Sequence, residues 1–392
     1  MRILVILNGS TSGYSGGDLH TAAVANKWAE SNDVDLYLPK GSSSEIASLI
    51  ESNVNVIGRT QGGRVVGHKQ LMFRYLGRVA KAIPLIFRSR DRWDVIISSS
   101  HYPFDLIPAL FRRKSSTELV TYWHHHVEQS ANRSKWIHLL VTTSERWSIE
   151  ALKRNHAFVL TSNSATREYL LSSGLLSSQV VLTRNGVSIS SNQAGGPAAT
   201  ATIPFAMPSE RSVLFCGRLS RLKGSEDLAL LAPKIVEISD DVKLIIIGRN
   251  GDDGVEVRRK LQSEVTKGKV VFTGFIGEED KSRRFINAHV VIVPSYEEGW
   301  SLTIGDGLAA RCWVVAYDLP AVREAFPIGP RYVPVGDWQR MLLEIRKCLQ
   351  AERPGQVFAG TSWKQVAEGD MTAISQHLAV RRNVGSKRKK FN

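Results

Sequence analysis

Two cations five residues apart, each next to a glycine, mark the segment Val213-Leu-Phe-Cys-Gly-Arg-Leu-Ser-Arg-Leu-Lys-Gly-Ser225. The apolar run Val213–Cys216 reads as a buried strand that ends at Gly217. A loop then presents Arg218 and Lys223, Gly224 frees the backbone, and Ser225 can cap the next helix. On a glycine-flanked turn at the carboxyl edge of a sheet, a guanidinium and an ammonium suit a diphosphate. The segment is not a P-loop, because Gly-x-x-x-x-Gly-Lys-Ser/Thr does not occur in it. A second segment runs Val291-Ile-Val-Pro-Ser-Tyr-Glu-Glu-Gly-Trp-Ser-Leu-Thr-Ile-Gly-Asp306. Its strand ends at Pro294, its turn passes through Glu297, Glu298 and Gly299, and a helix starts near Ser301. The free N–H groups of Leu302 and Thr303 would face the same edge as Arg218 and Lys223, where a helix N-terminus favours phosphate. Glu298 and Asp306 lie about two helical turns apart. A carboxylate in either place can accept two hydrogen bonds from a vicinal diol such as a ribose or a sugar.

The first half has two marked features. Ser15-Gly16-Gly17 follows the strand Ile3–Leu7 and precedes a helix at Asp18, and its glycines let the backbone approach a phosphate. His20, one turn further on, reads equally as a helix-surface residue. Leu119-Val-Thr-Tyr-Trp-His-His-His-Val-Glu128 places His124, His125 and His126 directly after a buried strand. Adjacent loop residues rarely aim three imidazoles at one ion, so no metal site is expected there. Asp33-Val-Asp35 runs into a strand and does not form a metal-binding loop.

The elements that must position these residues are short β-rich runs alternating with helical stretches, which predicts α/β with parallel sheets. In the first half the strands are Ile3–Leu7, Val34–Leu38, Val54–Ile57, Val95–Ser98, Leu119–Tyr122, Phe158–Thr161 and Val180–Thr183. Helices are expected over Asp18–Ser31, Lys69–Arg88 and Ser164–Ser172. Residues 191–210 are small, Pro/Gly-containing and almost uncharged, and read as a linker. The second series has strands Val213–Cys216, Lys243–Ile247, Val270–Thr273, Val290–Val293 and Val314–Ala316. Its helices start near Ser225, Glu256, Glu278, Ser301 and Asp337. The expected organisation is two Rossmann-like domains facing across a cleft: an acceptor-side domain over 1–190, the linker over 191–210 and a donor domain over 211–360. A C-terminal helix over 361–380 packs back toward the first domain, and a flexible basic tail covers 381–392.

Length and composition agree. At 392 residues the chain is long enough for two domains, and 43% hydrophobic with 22% charged residues excludes collagen, coiled coil and wholesale disorder. Cys216, Cys312 and Cys348 form no Cys-x-x-Cys pair, so a disulfide framework or structural zinc is not expected. The N-terminus has five consecutive apolar residues, too few for a signal peptide, and no run approaches the ~20 residues of a membrane span. The expected location is the cytoplasm, with any membrane contact peripheral and at the cytoplasmic face. The net charge is +14. Residues 1–200 hold 22 Lys/Arg against 14 Asp/Glu, whereas in the second half the excess sits in the tail, Arg381 to Lys390. The stretch Arg59–Arg92 interleaves nine Lys/Arg with apolar residues against the single acid Asp91. It reads either as a solvated helix face or as a basic amphipathic helix at an anionic membrane. No nucleic-acid-binding pattern is visible.

Gly217-Arg-Leu with Lys223-Gly224, Thr273-Gly274-Phe275 and Pro294-Ser-Tyr-Glu-Glu-Gly-Trp300 resembles glycosyltransferase family 4, the nucleotide-sugar transferases of GT-B fold. The resemblance covers most of the chain, including Ser15-Gly-Gly17 and Asn185-Gly-Val187. It implies that Arg218 and Lys223 hold the donor diphosphate, with Leu302 and Thr303 at the helix start and Gly16 and Gly17 close to the donor phosphate. Gly274, Phe275 and Ile276 would flank the base. Glu298 would touch the transferred sugar, and Asp306, the second acid of the Glu-x7-Glu motif, would hold the ribose hydroxyls. A histidine beyond the Leu119–Tyr122 strand would hydrogen-bond a sugar hydroxyl; His124 is the best positional match, with His125 and His126 as alternatives. The donor would be UDP- or GDP-linked, no metal or prosthetic group would be required, anomeric configuration would be retained, and the acceptor would be a glycan or lipid-linked hydroxyl. Membrane contact would come through Arg59–Arg92 and the 381–390 tail. The chain departs from the family where Asp306 replaces the usual Glu, shortening the reach by about 1.5 Å. Asp306-Gly-Leu-Ala309 and Arg311-Cys-Trp-Val-Val315 also differ from the family pattern. These departures bear on donor affinity and base preference. The rival readings are a sugar-nucleotide epimerase and a non-catalytic subunit with a decayed donor site.

Overall fold

Seven apolar runs of the first half become parallel strands in the computed structural model: β1 (Arg2–Ile6), β2 (Asp33–Tyr37), β3 (Asn55–Ile57), β4 (Val95–Ser98), β5 (Glu118–Trp123), β6 (Phe158–Thr161) and β7 (Val180–Leu182). They form one sheet in the order β3-β2-β1-β4-β5-β6-β7. The helices between them are α1 (Gly16–Trp28), α2 (Ser44–Ala47), α3 (Pro103–Arg112), α4 (Lys135–Arg154) and α5 (Ser164–Ser172). The structure describes residues 1–8, 14–39, 42–58, 77, 80, 93–114, 116–126, 135–189, 211–355, 358 and 360–389. The expected linker, and the Arg59–Arg92 stretch apart from Gly77 and Ala80, lie outside them. Both faces of the sheet are covered, which is why its strands read as continuous apolar runs. Side chains alternate along β1, with Ile3 and Val5 entering one core and Leu4 and Ile6 the other.

A second sheet, β10-β9-β8-β11-β12-β13, repeats the pattern. Its strands are β8 (Arg211–Cys216), β9 (Val242–Ile247), β10 (Val270–Gly274), β11 (Val290–Val293), β12 (Trp313–Tyr317) and β13 (Arg331–Val333). All pairs are parallel. The helices are α6 (Ser225–Val236), α7 (Gly254–Lys260), α8 (Gln262–Thr266), α9 (Glu278–Asn287), α10 (Leu302–Ala309), α11 (Pro320–Ala325) and α12 (Trp338–Gln350). β13, α2, α3, α4, α8 and α11 are additions to what the patterning predicts. In each sheet the strand order reverses once, between β1 and β4 and between β8 and β11. Strand-order rules place ligands at the carboxyl edge of such a reversal.

The last helix, α13 (Trp363–Lys389), belongs to the first sheet's unit, which comprises Met1–Asn185 with Trp363–Asn392; the second unit is Gly186–Ser362. Val366, Ala367 and Ile374 enter the same core as Val24 and Trp28 of α1. Trp28 Nε1 donates to the Ala367 carbonyl at 2.9 Å, and Tyr122 OH donates to Asp370 at 2.6 Å. The helical backbone continues past 380 into the basic stretch that was expected to fray. Arg381 is committed there: its Nη1 lies 2.8 and 2.7 Å from the two oxygens of Glu118, whose side chain is only 5% exposed. A carboxylate at that depth needs a cation, and Arg381 supplies it.

Candidate functional site

In the second unit the loops that follow β8 and β11 meet at the sheet's carboxyl edge and are laced together. The backbone N–H of Tyr296 donates to the Leu222 carbonyl at 2.9 Å. Gly224 has φ +73, and a methyl group there would lie 2.0 Å from the Pro294 carbonyl oxygen. Only glycine suits that backbone and that approach. The hydroxyls of Tyr296 and Tyr317 both donate to Asp227 Oδ2, at 2.7 and 2.6 Å, which fixes α6 against β12.

This scaffold brings Lys223 and Glu298 together: Nζ lies 2.7 Å from Oε1, with Glu298 12% exposed. Arg218 is exposed and, among the described residues, makes no ion pair. α10 starts at the same sheet edge with no side-chain cap. Its entry residue, Ser301, is buried at φ 76°, and Thr303 Oγ1 donates to the Cys216 carbonyl at 3.0 Å, seating the helix on the end of β8. The N–H groups of Leu302 and Thr303 thus open a helix with no side-chain cap on its positive pole. Gly274 closes β10 at φ +70, Phe275 lies under the Arg249 guanidinium at 4.7 Å, and Ile276 packs on the core.

Asp306 is placed deeper than its motif suggests. It is 2% exposed. One oxygen accepts the Ser188 N–H at 2.8 Å and the other lies 3.2 Å from Lys281 Nζ. Burial opposes the charge on Lys281, but Asp306 and Glu278 outweigh it and hold the ammonium above its ordinary range. Sequence reasoning missed Lys281. Its i,i+3 spacing from Glu278 was visible, but its pairing with Asp306 is tertiary.

In the first unit, Gly17 and His124 meet: a methyl at Gly17 would lie 2.9 Å from His124 Nε2. Gly16 opens α1, where Ser15 and Asp18 form a reciprocal cap. His124 Nε2 is 3.1 Å from the Ser99 carbonyl, which can only accept, so Nε2 carries the proton. Burial and the neighbouring His125 lower its pKa to about 4, leaving Nδ1 as a neutral acceptor. His126 turns away and donates to Glu145 at 2.9 Å. Among the described residues no group of three His, Cys, Asp or Glu side chains is arranged to hold a metal. His20 is interior, 1% exposed, with Nδ1 donating to Asn185 Oδ1 at 2.5 Å. Asp105, at the start of α3, ties the loops after β1 and β4 by accepting from the Asn8 N–H at 2.9 Å and from Ser100 Oγ.

Five buried groups in this unit titrate out of their usual range between the acid and neutral regions. Burial pushes Asp105 up to about 7 and Asp370 up to about 6, and it lowers His20 to about 3, His124 to about 4 and His101 well below its ordinary value. Between about pH 4 and 6 the folded unit holds protons on the two acids, whereas the unfolded chain holds protons on the three histidines. These groups leave the unfolded chain one proton ahead, so their net contribution to stability should rise with pH by about 1.4 kcal/mol per pH unit. Removing one member changes that slope. Relative to the parent, His20→Gln loses an unfolded-state proton, so the slope should fall by about 1.4 kcal/mol per pH unit. Asp105→Asn loses a folded-state proton and should shift the slope by about the same amount in the opposite sense. Urea unfolding at pH 4, 5 and 6 measures both; parallel profiles for the parent and the two variants would refute the assignment.

Two parallel α/β sheets of this strand order, each covered by helices, define the GT-B class of fold. Solved structures agree. Sucrose-phosphate synthase from Thermosynechococcus elongatus superposes with a TM-score of 0.68 at 18% identity, covering 97% of this chain and 100% of that one. Anabaena HepE in complex with UDP-glucose superposes at 0.66 with 16% identity, covering 98% and 100%. At such identities the likeness shows the fold. Residues 14–191 match the family described as Glycosyltransferase Family 4, and residues 210–351 match Glycosyl transferases group 1. The chain belongs to this family of group 1, family 4 glycosyltransferases. A phosphatidyl-myo-inositol mannosyltransferase of Mycolicibacterium smegmatis is 29% identical over 208 residues, 52% of this chain and 51% of that protein. The protein of the same name in Mycobacterium leprae is 31% identical over 131 residues, 32% of this chain and 34% of that one. The alignments thus span about half the length of the first of these curated relatives and about a third of the second. Among the described residues no helix is long and apolar enough to cross a membrane.

Proposed function

We propose that the protein transfers a sugar from a nucleoside diphosphate, UDP- or GDP-linked, to an acceptor hydroxyl, with retention of configuration and without a metal ion. The observation that supports this reading is that Arg218, the Lys223–Glu298 pair and the uncapped start of α10 follow the carboxyl ends of β8 and β11. These groups can stabilise the departing diphosphate through charge and N–H donors. In the proposed step the bond from the sugar's anomeric carbon to the diphosphate oxygen breaks, and the acceptor oxygen bonds that carbon on the same face. The acceptor's proton goes to the departing phosphate. Glu298 contacts the sugar, and His124 Nδ1 accepts a sugar hydroxyl. Gly16 and Gly17 lie along the donor phosphate, Gly274, Phe275 and Ile276 flank the base, and Leu302 and Thr303 donate to the diphosphate.

The acceptor is proposed to be a glycan or lipid-linked polyol, a class supported by the mannosyltransferase relatives. Reached from the cytoplasm, it would be met at the membrane's cytoplasmic face, with Arg59–Arg92 and the basic residues after Arg381 as the contacts. A thermal-shift panel with UDP, GDP, ADP and their sugar conjugates tests the donor assignment. A matching nucleotide at a hundred times its Kd should stabilise the fold by about 2.7 kcal/mol. No shift with any nucleotide at millimolar concentration would favour a decayed donor site. Epimerised nucleotide sugar formed without acceptor would favour an epimerase.

A further inference from the structure

His126, just past the carboxyl end of β5, is held on three sides by α4 and α5. Its backbone N–H donates to Thr166 Oγ1 at 3.1 Å. Its ring lies almost flat on Tyr169, with centroids 3.5 Å apart and 15° between the planes. Its Nδ1 lies 2.9 Å from Glu145 Oε2, and the Glu145 side chain has no exposed surface. The other carboxylate oxygen is 3.8 Å from Nε2 of His101, which burial keeps neutral. Packing alone would not require an acid at that depth, because taking it out of water opposes folding. A carboxylate there does fix a tautomer: it accepts from Nδ1–H and leaves Nε2 with a bare lone pair. The His126 side chain is 23% exposed, and among the described residues Nε2 has no hydrogen-bond partner. His124 is set the opposite way, with Nε2 donating to the Ser99 carbonyl and Nδ1 bare. Ser162 Oγ, beyond β6, donates to the His124 carbonyl at 3.1 Å and steadies the segment that carries both rings. Two fixed acceptor nitrogens thus stand at the edge where such sheets take ligands. A ligand that donates from several hydroxyls suits them.

We propose that His126 Nε2 accepts a hydrogen bond from a hydroxyl of a polyol acceptor, and that Glu145 is the positioning residue that keeps that nitrogen bare. His124 keeps the donor sugar. The proton of the reacting hydroxyl still leaves with the diphosphate, so His126 takes a second hydroxyl of the same acceptor. The proposal rests on the sugar-transfer reading and gives the first unit a contact of its own with the acceptor.

The test compares two rates with the UDP and GDP conjugates of the common hexoses: hydrolysis in water alone, and transfer to glycerol, sorbitol or methyl α-glucoside. The double variant His126→Phe/Glu145→Leu keeps a ring on Tyr169 and strands no buried charge. It should lower kcat/KM for the polyol by roughly 10- to 100-fold, the range for a donor left without its partner. Hydrolysis and nucleotide affinity should not change. His124→Ala, by contrast, should slow hydrolysis and transfer together. A second measurement needs no substitution. With UDP or GDP present, diethyl pyrocarbonate should acylate His126 of the wild type, and the polyol should block it, as read by peptide mass spectrometry. Unchanged transfer in the double variant overturns the proposal, as do equal losses of transfer and hydrolysis, or acylation of His126 that no polyol slows. Wild type that binds a nucleotide but glycosylates none of the polyols removes this inference and leaves the donor reading standing. Wild type that binds no nucleotide removes both.

Discussion

Gly224→Ala is expected to lower the stability of the second unit by about 2–5 kcal/mol. The left-handed backbone at φ +73 costs a non-glycine residue about 1–2 kcal/mol. The methyl 2.0 Å from the Pro294 carbonyl oxygen forces a backbone shift of the kind that costs about 1–3 kcal/mol more. Gly268 supplies the control. It has φ +70 and no atom within 4 Å of the added methyl, so Gly268→Ala should show the backbone cost alone. The difference between the two variants measures how tightly the loops after β8 and β11 are pressed together. Against a total of about 5–15 kcal/mol, the larger loss would be plain in the urea midpoint of the second unit's transition. Equal losses in the two variants would mean that the loops can part without cost, and the site they form would then not be preformed.

Arg218→Ala should lower turnover of the matching nucleotide sugar by about 100- to 1,000-fold, the range for removing one preorganised donor from a developing anion. Its exposed side chain makes the apoprotein's melting temperature insensitive to the change. Lys223→Ala should behave differently. In the apoprotein Lys223 already neutralises Glu298 at 2.7 Å, so its loss strands a mostly buried carboxylate and lowers stability as well as activity. Steady-state kinetics with thermal unfolding on both variants separates the two roles. Unchanged turnover in Arg218→Ala would remove the guanidinium from the reaction. Equal stability losses would show that the Lys223–Glu298 pair does not hold in solution.

Much of this was legible in the chain, for identifiable reasons. Strands buried on both faces must be apolar throughout, so β1, β4 and β11 announce themselves. β13 does not: Arg331-Tyr-Val333 is an edge strand with one buried position. α3 hides because Pro108 sits inside it and reads as a breaker. The burial of His20 was hidden because α1 is covered on several sides, from Leu19 through Trp28, so no polar face betrays which residues point out. Arg218, Lys223 and Glu298 were legible because each sits on the loop after a recognisable strand, where strand-order rules already place ligands. The inward turn of Asp306 was not, because Lys281 and Ser188 are distant in sequence and each uses one of its oxygens. The tail misled in a similar way: six cations in a row of residues look solvated, yet Arg381 is claimed by Glu118.

The threading of the chain also sets a timetable for synthesis. The second unit is one uninterrupted stretch, Gly186–Ser362, inserted into a first unit whose last helix is made after it. A ribosome adding about 5–20 residues per second takes roughly ten to thirty seconds to cross that insertion. Throughout that interval the emerged first sheet lacks Val366, Ala367 and Ile374 over α1, the Ala367 carbonyl for Trp28, and Asp370 for Tyr122. The later half of the polypeptide can therefore close before the earlier half does. The nascent first unit carries an apolar seam on which holding chaperones would act until α13 leaves the exit tunnel.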